Sequence, residues 1–166
     1  QRGSGTLTPA PARAGPAPHR GAVLSPSPAA LLAPVFALAF WTFLVLLRLA
    51  FVRIRAGLCG QISPGDFRLG ESPQVPAPVT LVNRNYMNLL ELPVLFYALS
   101  LILVAQPALA GPWAPGLQWA YVGLRIVHSV VHQSYNNVLH RLAVFAASNA
   151  VLVTLWTLAA LRLAGT

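Results

Sequence analysis

Lysine is absent from this 166-residue chain, and the acids are only three: Asp66, Glu71 and Glu91. There is a single cysteine, Cys59, and a single methionine, Met87. Charged residues of both signs amount to 8%, where a soluble domain of ordinary composition carries about a quarter. That scarcity excludes a chain whose whole surface is wet. One thiol excludes an intrachain disulfide, and Cys59 reads as an incidental loop thiol. With no lysine, all eleven basic groups are arginine and the net charge is +8. The arginines are scattered through a tail, a first loop and several apolar stretches, so they do not form the basic face that nucleic-acid binding needs. Nucleic acid is therefore not an expected partner.

Hydrophobic residues fill the space that charge leaves, at 56% of the chain with a mean hydropathy of +0.64. Residues 1–30, rich in Pro, Ala and Gly, read as a disordered tail. Beyond them lie four apolar stretches, about 31–52, 79–104, 113–131 and 142–163. Each approaches the ~20 residues that cross ~30 Å of hydrocarbon. The third is the weakest, interrupted by Arg125 and His128 and opened by Pro112 and Pro115. No small-residue cleavage site follows the first stretch, so it reads as a retained span rather than a signal. The expected fold is all-α, an integral membrane four-helix bundle over residues 31–163 in contact with the lipid bilayer. Gly and Pro demand a loop over 57–78, and shorter connections fall near 106–116 and 132–140. Arg53, Arg55, Arg68 and Arg141 flank the first and third loops, so the positive-inside rule places those loops in the cytoplasm. The arginine-only basic set hints at a GC-rich bacterial genome, hence a multi-pass protein of a bacterial inner membrane.

Polar residues inside these spans carry the functional signal, because charge in a bilayer is costly and commonly functional. Arg84, Asn88 and Glu91 stand at i, i+4 and i+7, one helical face. Tyr121, Arg125, His128 and His132 repeat the pattern in the third span. Counting residues down each helix brings Glu91 and Arg125 to similar depth, where an ion pair would relieve both of desolvation. Arg53, Arg84, Asn88, Glu91, Arg125, His132 and Arg141 all fall in the half of the bilayer nearest loops one and three. Cations outnumber anions there, which suits an anionic ligand, since guanidinium forks match carboxylate, phosphate and thiolate. Pro93 should kink the second span beside this stripe. His128 and His132 have metal-pair spacing, but no third ligand is evident. His128 reads as a packing residue and His140 as an interface residue. Trp113, Trp119 and Tyr121 suit an aromatic belt, Ser148 and Asn149 suit bonds to a neighbouring helix, and Asn136 and Asn137 suit a turn.

Arg84-x-x-x-Asn88-x-x-Glu91-x-Pro93 resembles the signature of the MAPEG family, membrane-associated proteins of eicosanoid and glutathione metabolism. Arg125-x-x-His128-x-x-x-His132 with Arg141 nine residues on is similar to its prostaglandin E synthase branch, as is Val52-Arg53-Ile54-Arg55. The resemblance implies a homotrimer with glutathione, or another low-molecular-weight thiol, held between subunits. It implies that Arg53, Arg84, Asn88, Glu91 and His132 line the thiol site and that Arg141 is the catalytic group stabilising the thiolate. The implied activity is a glutathione-dependent transferase or peroxidase acting on lipophilic electrophiles or hydroperoxides, with detoxification as one role. The alternative is a non-catalytic relative that binds an anionic thiol or serves structure alone. Two positions depart from the pattern: His132 stands where a tyrosine is usual, and Leu92 where an aromatic often follows the glutamate.

Overall fold

The computed structural model describes residues 25–68 and 70–165, so the expected tail lies outside the described residues up to position 24. The first helix, α1 (Pro28–Leu58), begins inside the segment expected to be tail. Ser27 is the reason: its hydroxyl accepts from the Ala30 N–H at 3.2 Å. Pro28 follows at a position where a missing donor costs nothing. At 31 residues α1 is about 46 Å long, well beyond ~30 Å of hydrocarbon. Its last turns carry Arg53 and Arg55.

Loop one is folded rather than slack. Asp66, in a short 3-10 turn (Pro64–Phe67), accepts from the Ser63 backbone N–H at 2.7 Å and from its hydroxyl at 2.9 Å. These bonds, the backbone one foremost, favour the ionised form and hold Asp66 below its usual 3.8. Val75 and Val79 pack on Ala56 and tie the loop back to α1.

The second span is two helices, α2 (Ala77–Leu90) and α3 (Pro93–Ala105). Pro93 has no N–H for the Leu89 carbonyl, and the chain bends at Glu91, whose ψ is −93°. The expected kink is thus a break. After a short 3-10 turn (Pro107–Leu109) come α4 (Ala114–Gln133) and α5 (Val138–Ala164). Asn137 caps α5, its side-chain oxygen accepting from Leu139 and His140 N–H at 3.0 and 3.1 Å. With α2 and α3 taken as one rod, the described residues form an all-α bundle of four rods. Three of them, α1, α2–α3 and α5, are long and apolar enough to cross a membrane.

The remaining rod, α4, is the innermost. It packs against α1, α2 and α5 and buries Gln118, Arg125, His128, Ser129 and His132. Two polar ties fix it. Asn85 Nδ2 donates to Ser129 Oγ at 2.7 Å, and Gln118 Nε2 donates to Ser100 Oγ at 2.7 Å. Tyr121, expected in an aromatic belt, is fully buried and stacked on Phe96 with ring centroids 4.7 Å apart. Its neighbours Leu38, Leu89 and Leu152 come from three other helices, so at this position the core outcompetes the interface. Ser148 likewise turns inward on its own helix, donating to the Phe145 carbonyl at 2.8 Å instead of to a neighbour.

Asn85→Ala removes the interhelical donor to the Ser129 hydroxyl, leaving it only Gln133 Nε2 of its own helix at 3.2 Å, and we expect it to lower detergent unfolding stability by about 1 kcal/mol, the scale of interhelical hydrogen bonds in membranes. An unchanged melting curve would refute that tie. For Asp66, a depressed folded pKa means that its contribution is complete above the unfolded value and fades as pH falls through the folded one. Hydrogen-exchange protection of the Ser63 amide should therefore stay constant across the neutral range and decline only below pH 3.8.

Candidate functional site

The broken second span decides how the polar residues meet. Carbonyls in the last turn of α2 lack intrahelical donors, and one of them, that of Asn88, accepts from Arg125 Nη2 at 2.7 Å. Arg125 is 1% exposed, with its guanidinium 5.5 Å from the Phe145 ring and 5.9 Å from the Tyr121 ring. Its Nε and Nη1 have no hydrogen-bond partner among the described residues. Glu91 is exposed at the break. The ion pair expected between Arg125 and Glu91 is therefore not made among the described residues: the arginine caps the helix end that Pro93 creates.

Asn88, His128 and Arg141 come together. With Val138, Leu142 and Phe145 they line a cleft of about 250 Å³ between α2, α4 and α5. Arg141 Nη1 donates to Asn136 Oδ1 at 2.7 Å. Asn136 itself adopts φ 48°, the left-handed region that asparagine tolerates better than most residues. The turn thus aims its side chain back at α5 and fixes the guanidinium at the cleft. The His128 Nδ1 lies 3.1 Å from the Arg141 carbonyl. A carbonyl only accepts, so Nδ1 carries the proton and Nε2 is left as the ring's acceptor, buried and unpartnered.

The other expected site residues lie around this cleft rather than in it. Asn88 Nδ2 donates to the Arg84 carbonyl at 3.1 Å, while Arg84, one turn earlier, lines a separate cavity of about 530 Å³ with Glu71. Arg53 ties α1 to α2, donating to Asn83 Oδ1 at 3.0 Å with its guanidinium 4.7 Å from the Phe67 ring. His132 is 2% exposed, edge-on to His128 with centroids 5.9 Å apart, and neither of its ring nitrogens has a partner. His140 is exposed and meets the Tyr135 hydroxyl at 3.2 Å. His128, read from the sequence as a packing residue, thus belongs to the cleft. Asn136 was legible only as a turn residue; its bond to Arg141, five residues on, depends on how the turn folds.

The cleft offers a guanidinium, an amide and a ring acceptor, a set that complements an anionic polar ligand. It is smaller than the ~300–1,000 Å³ usual for small-molecule sites. No curated protein and no solved structure matches the chain. A model of the family described as MAPEG matches residues 31–161, a span that holds every residue of the cleft and all but the outermost ends of the four rods. The chain belongs to the MAPEG family and is a membrane protein of the glutathione and eicosanoid metabolism type.

Proposed function

We propose that the protein is a membrane-embedded, glutathione-dependent transferase or peroxidase acting on lipophilic electrophiles or hydroperoxides, and that it works as a homotrimer with the thiol held between neighbouring subunits. The observation that carries this reading is the Arg141 guanidinium, fixed by Asn136 at the rim of a cleft whose other polar groups are Asn88 and His128. When bound, the thiol supplies a nucleophilic sulfur. A free thiol with pKa ~8.5 is mostly protonated at neutral pH, so the protein's task is to shift that balance. A guanidinium beside the sulfur stabilises negative charge there. His128 Nε2 is placed to accept the proton, with the ring held in that tautomer by its Nδ1 bond to the Arg141 carbonyl. Asn88 orients the ligand through its amide, its backbone being locked by Arg125.

Subunit association is supported by exposure. Arg84 and Glu91 lie uncovered on the face of the second span that also exposes Met87, Leu90 and Val94. A neighbouring copy would cover these apolar side chains and bring Arg84 and Glu91 to the thiol, supplying a second wall. The arginines flanking loops one and three orient those loops to the cytoplasm of a bacterial inner membrane, where low-molecular-weight thiols are abundant. The second reading, thiol binding or trimer stapling without turnover, draws on His132. That ring is sealed in the bundle, whereas the tyrosine usual at its position would contact the thiol.

Titrating glutathione into the protein in detergent separates the two. Thiolate absorbance should rise on binding to the wild type and vanish in Arg141→Ala. Asn136→Ala should keep binding and lose part of the thiolate signal, because the guanidinium is no longer held. Binding without any thiolate in the wild type would refute the enzyme and leave the second reading. Sedimentation of the wild type as a monomer would refute the shared site.

A further inference from the structure

Where α1 gives way to loop one, its last turns, the start of the loop and the first turn of α2 enclose a cavity of about 380 Å³ that shares no lining residue with the cleft. Its wall is amphipathic. Phe51, Val52 and Pro78 belong to the apolar side, and Arg55, Cys59 and Gln61 to the polar side. The polar side is held in place by the way the helix ends. Gly60, at φ 68°, turns the chain back in the left-handed region that glycine enters freely. That reversal lets the Gln61 N–H donate to the Ala56 carbonyl and the Gly60 N–H to the Gly57 carbonyl, each at 2.9 Å.

Charge at this place is one-sided. Arg55 is exposed, and its side chain makes no hydrogen bond or ion pair among the described residues. Arg48 is exposed and equally unpaired. It precedes Arg55 by seven residues, so it shares the same face two turns nearer the bilayer centre, about 10 Å away. No acid lines the cavity, and Asp66 of loop one is taken up by Ser63. Still further toward the centre, α1 exposes Leu44 and Leu47. From loop one inward this face thus presents a guanidinium with polar neighbours, then a second guanidinium, then bare alkyl side chains. A phospholipid presents its phosphate, ester carbonyls and acyl chain in the same order. Arginines at the headgroup level favour a lipid of net negative charge, because a zwitterionic headgroup would set its own cation against them with no acid there to receive it.

We propose that this cavity binds one anionic phospholipid from the leaflet on the loop-one side. Arg55 and Gln61 take the phosphate, Arg48 takes the ester carbonyls, and Phe51 and Leu47 line the first stretch of an acyl chain. The lipid supplies the negative charge that this end of the chain lacks. The site stands independently of the thiol reading of the cleft.

Cys59 is the single cysteine of the chain, exposed and part of the cavity wall, so its alkylation by the neutral reagent N-ethylmaleimide reports occupancy. The full chain is compared in nanodiscs of phosphatidylcholine alone and of phosphatidylcholine mixed with phosphatidylglycerol. Wild-type alkylation should slow about fivefold when the anionic lipid is present, the preference that one arginine near an anionic leaflet confers. In Arg55→Gln the two rates should converge, and in Arg48→Gln the slowing should be smaller. An anionic surface also concentrates protons and so slows any thiol. A slowing that persists in full in Arg55→Gln reports that effect alone and overturns the site, as do equal wild-type rates in the two discs. Inorganic phosphate added to pure phosphatidylcholine discs should leave the rate unchanged. If it slows alkylation as phosphatidylglycerol does, the cavity takes free phosphate and the lipid assignment falls.

Discussion

Arg125 and the Asn88 carbonyl form the contact around which the rest is arranged. A proline in the second span denies a donor to one carbonyl and ends the helix three residues earlier, in a low-dielectric interior where an unpaired backbone group is costly. A buried guanidinium answers part of that need and loses its own isolation in doing so. The pairing holds α4 against α2 at a fixed height. That height puts His128 opposite Asn88, and the turn after α4 brings Arg141 to the same place. Loss of Pro93 would therefore be felt in the cleft through Arg125, not merely as a straighter helix.

Polarity in this bundle is graded from the inside outward. Asn85 and Ser129, and Gln118 and Ser100, are tied in pairs deep between helices and belong to folding. Arg125, His128 and His132 are buried with nitrogens that have no partner among the described residues. Arg84 and Glu91 are exposed in the single subunit. These groups thus run from the cleft to an uncovered face.

Much of this was legible in the sequence because periodicity and transfer energy act locally. Four apolar stretches, the kink at Pro93, the loop over 57–78 and the family's motif all follow from residue order. What was missed depends on three-dimensional competition. The depth of Glu91 and Arg125 along their helices suggested a pair, but depth says nothing about azimuth, and a broken backbone offered the arginine a nearer acceptor. Tyr121 has the composition of an interfacial residue yet stacks on Phe96, since the pairing partner lies 25 positions away in sequence. The helix start at Pro28 hid in a proline-rich tail because a single serine cap, invisible to composition, decides it.

The polarity of α4 also bears on how the protein reaches its membrane. An arginine at the middle of an isolated helix costs about 2.5–3.5 kcal/mol on insertion, and α4 adds two buried histidines to that. The turn between α4 and α5 is only four residues long and is stapled by Asn136 and Asn137. Partitioning of α4 and α5 as one closed helical hairpin, with Arg125 already facing inward, lets the apolar α5 carry its polar companion across.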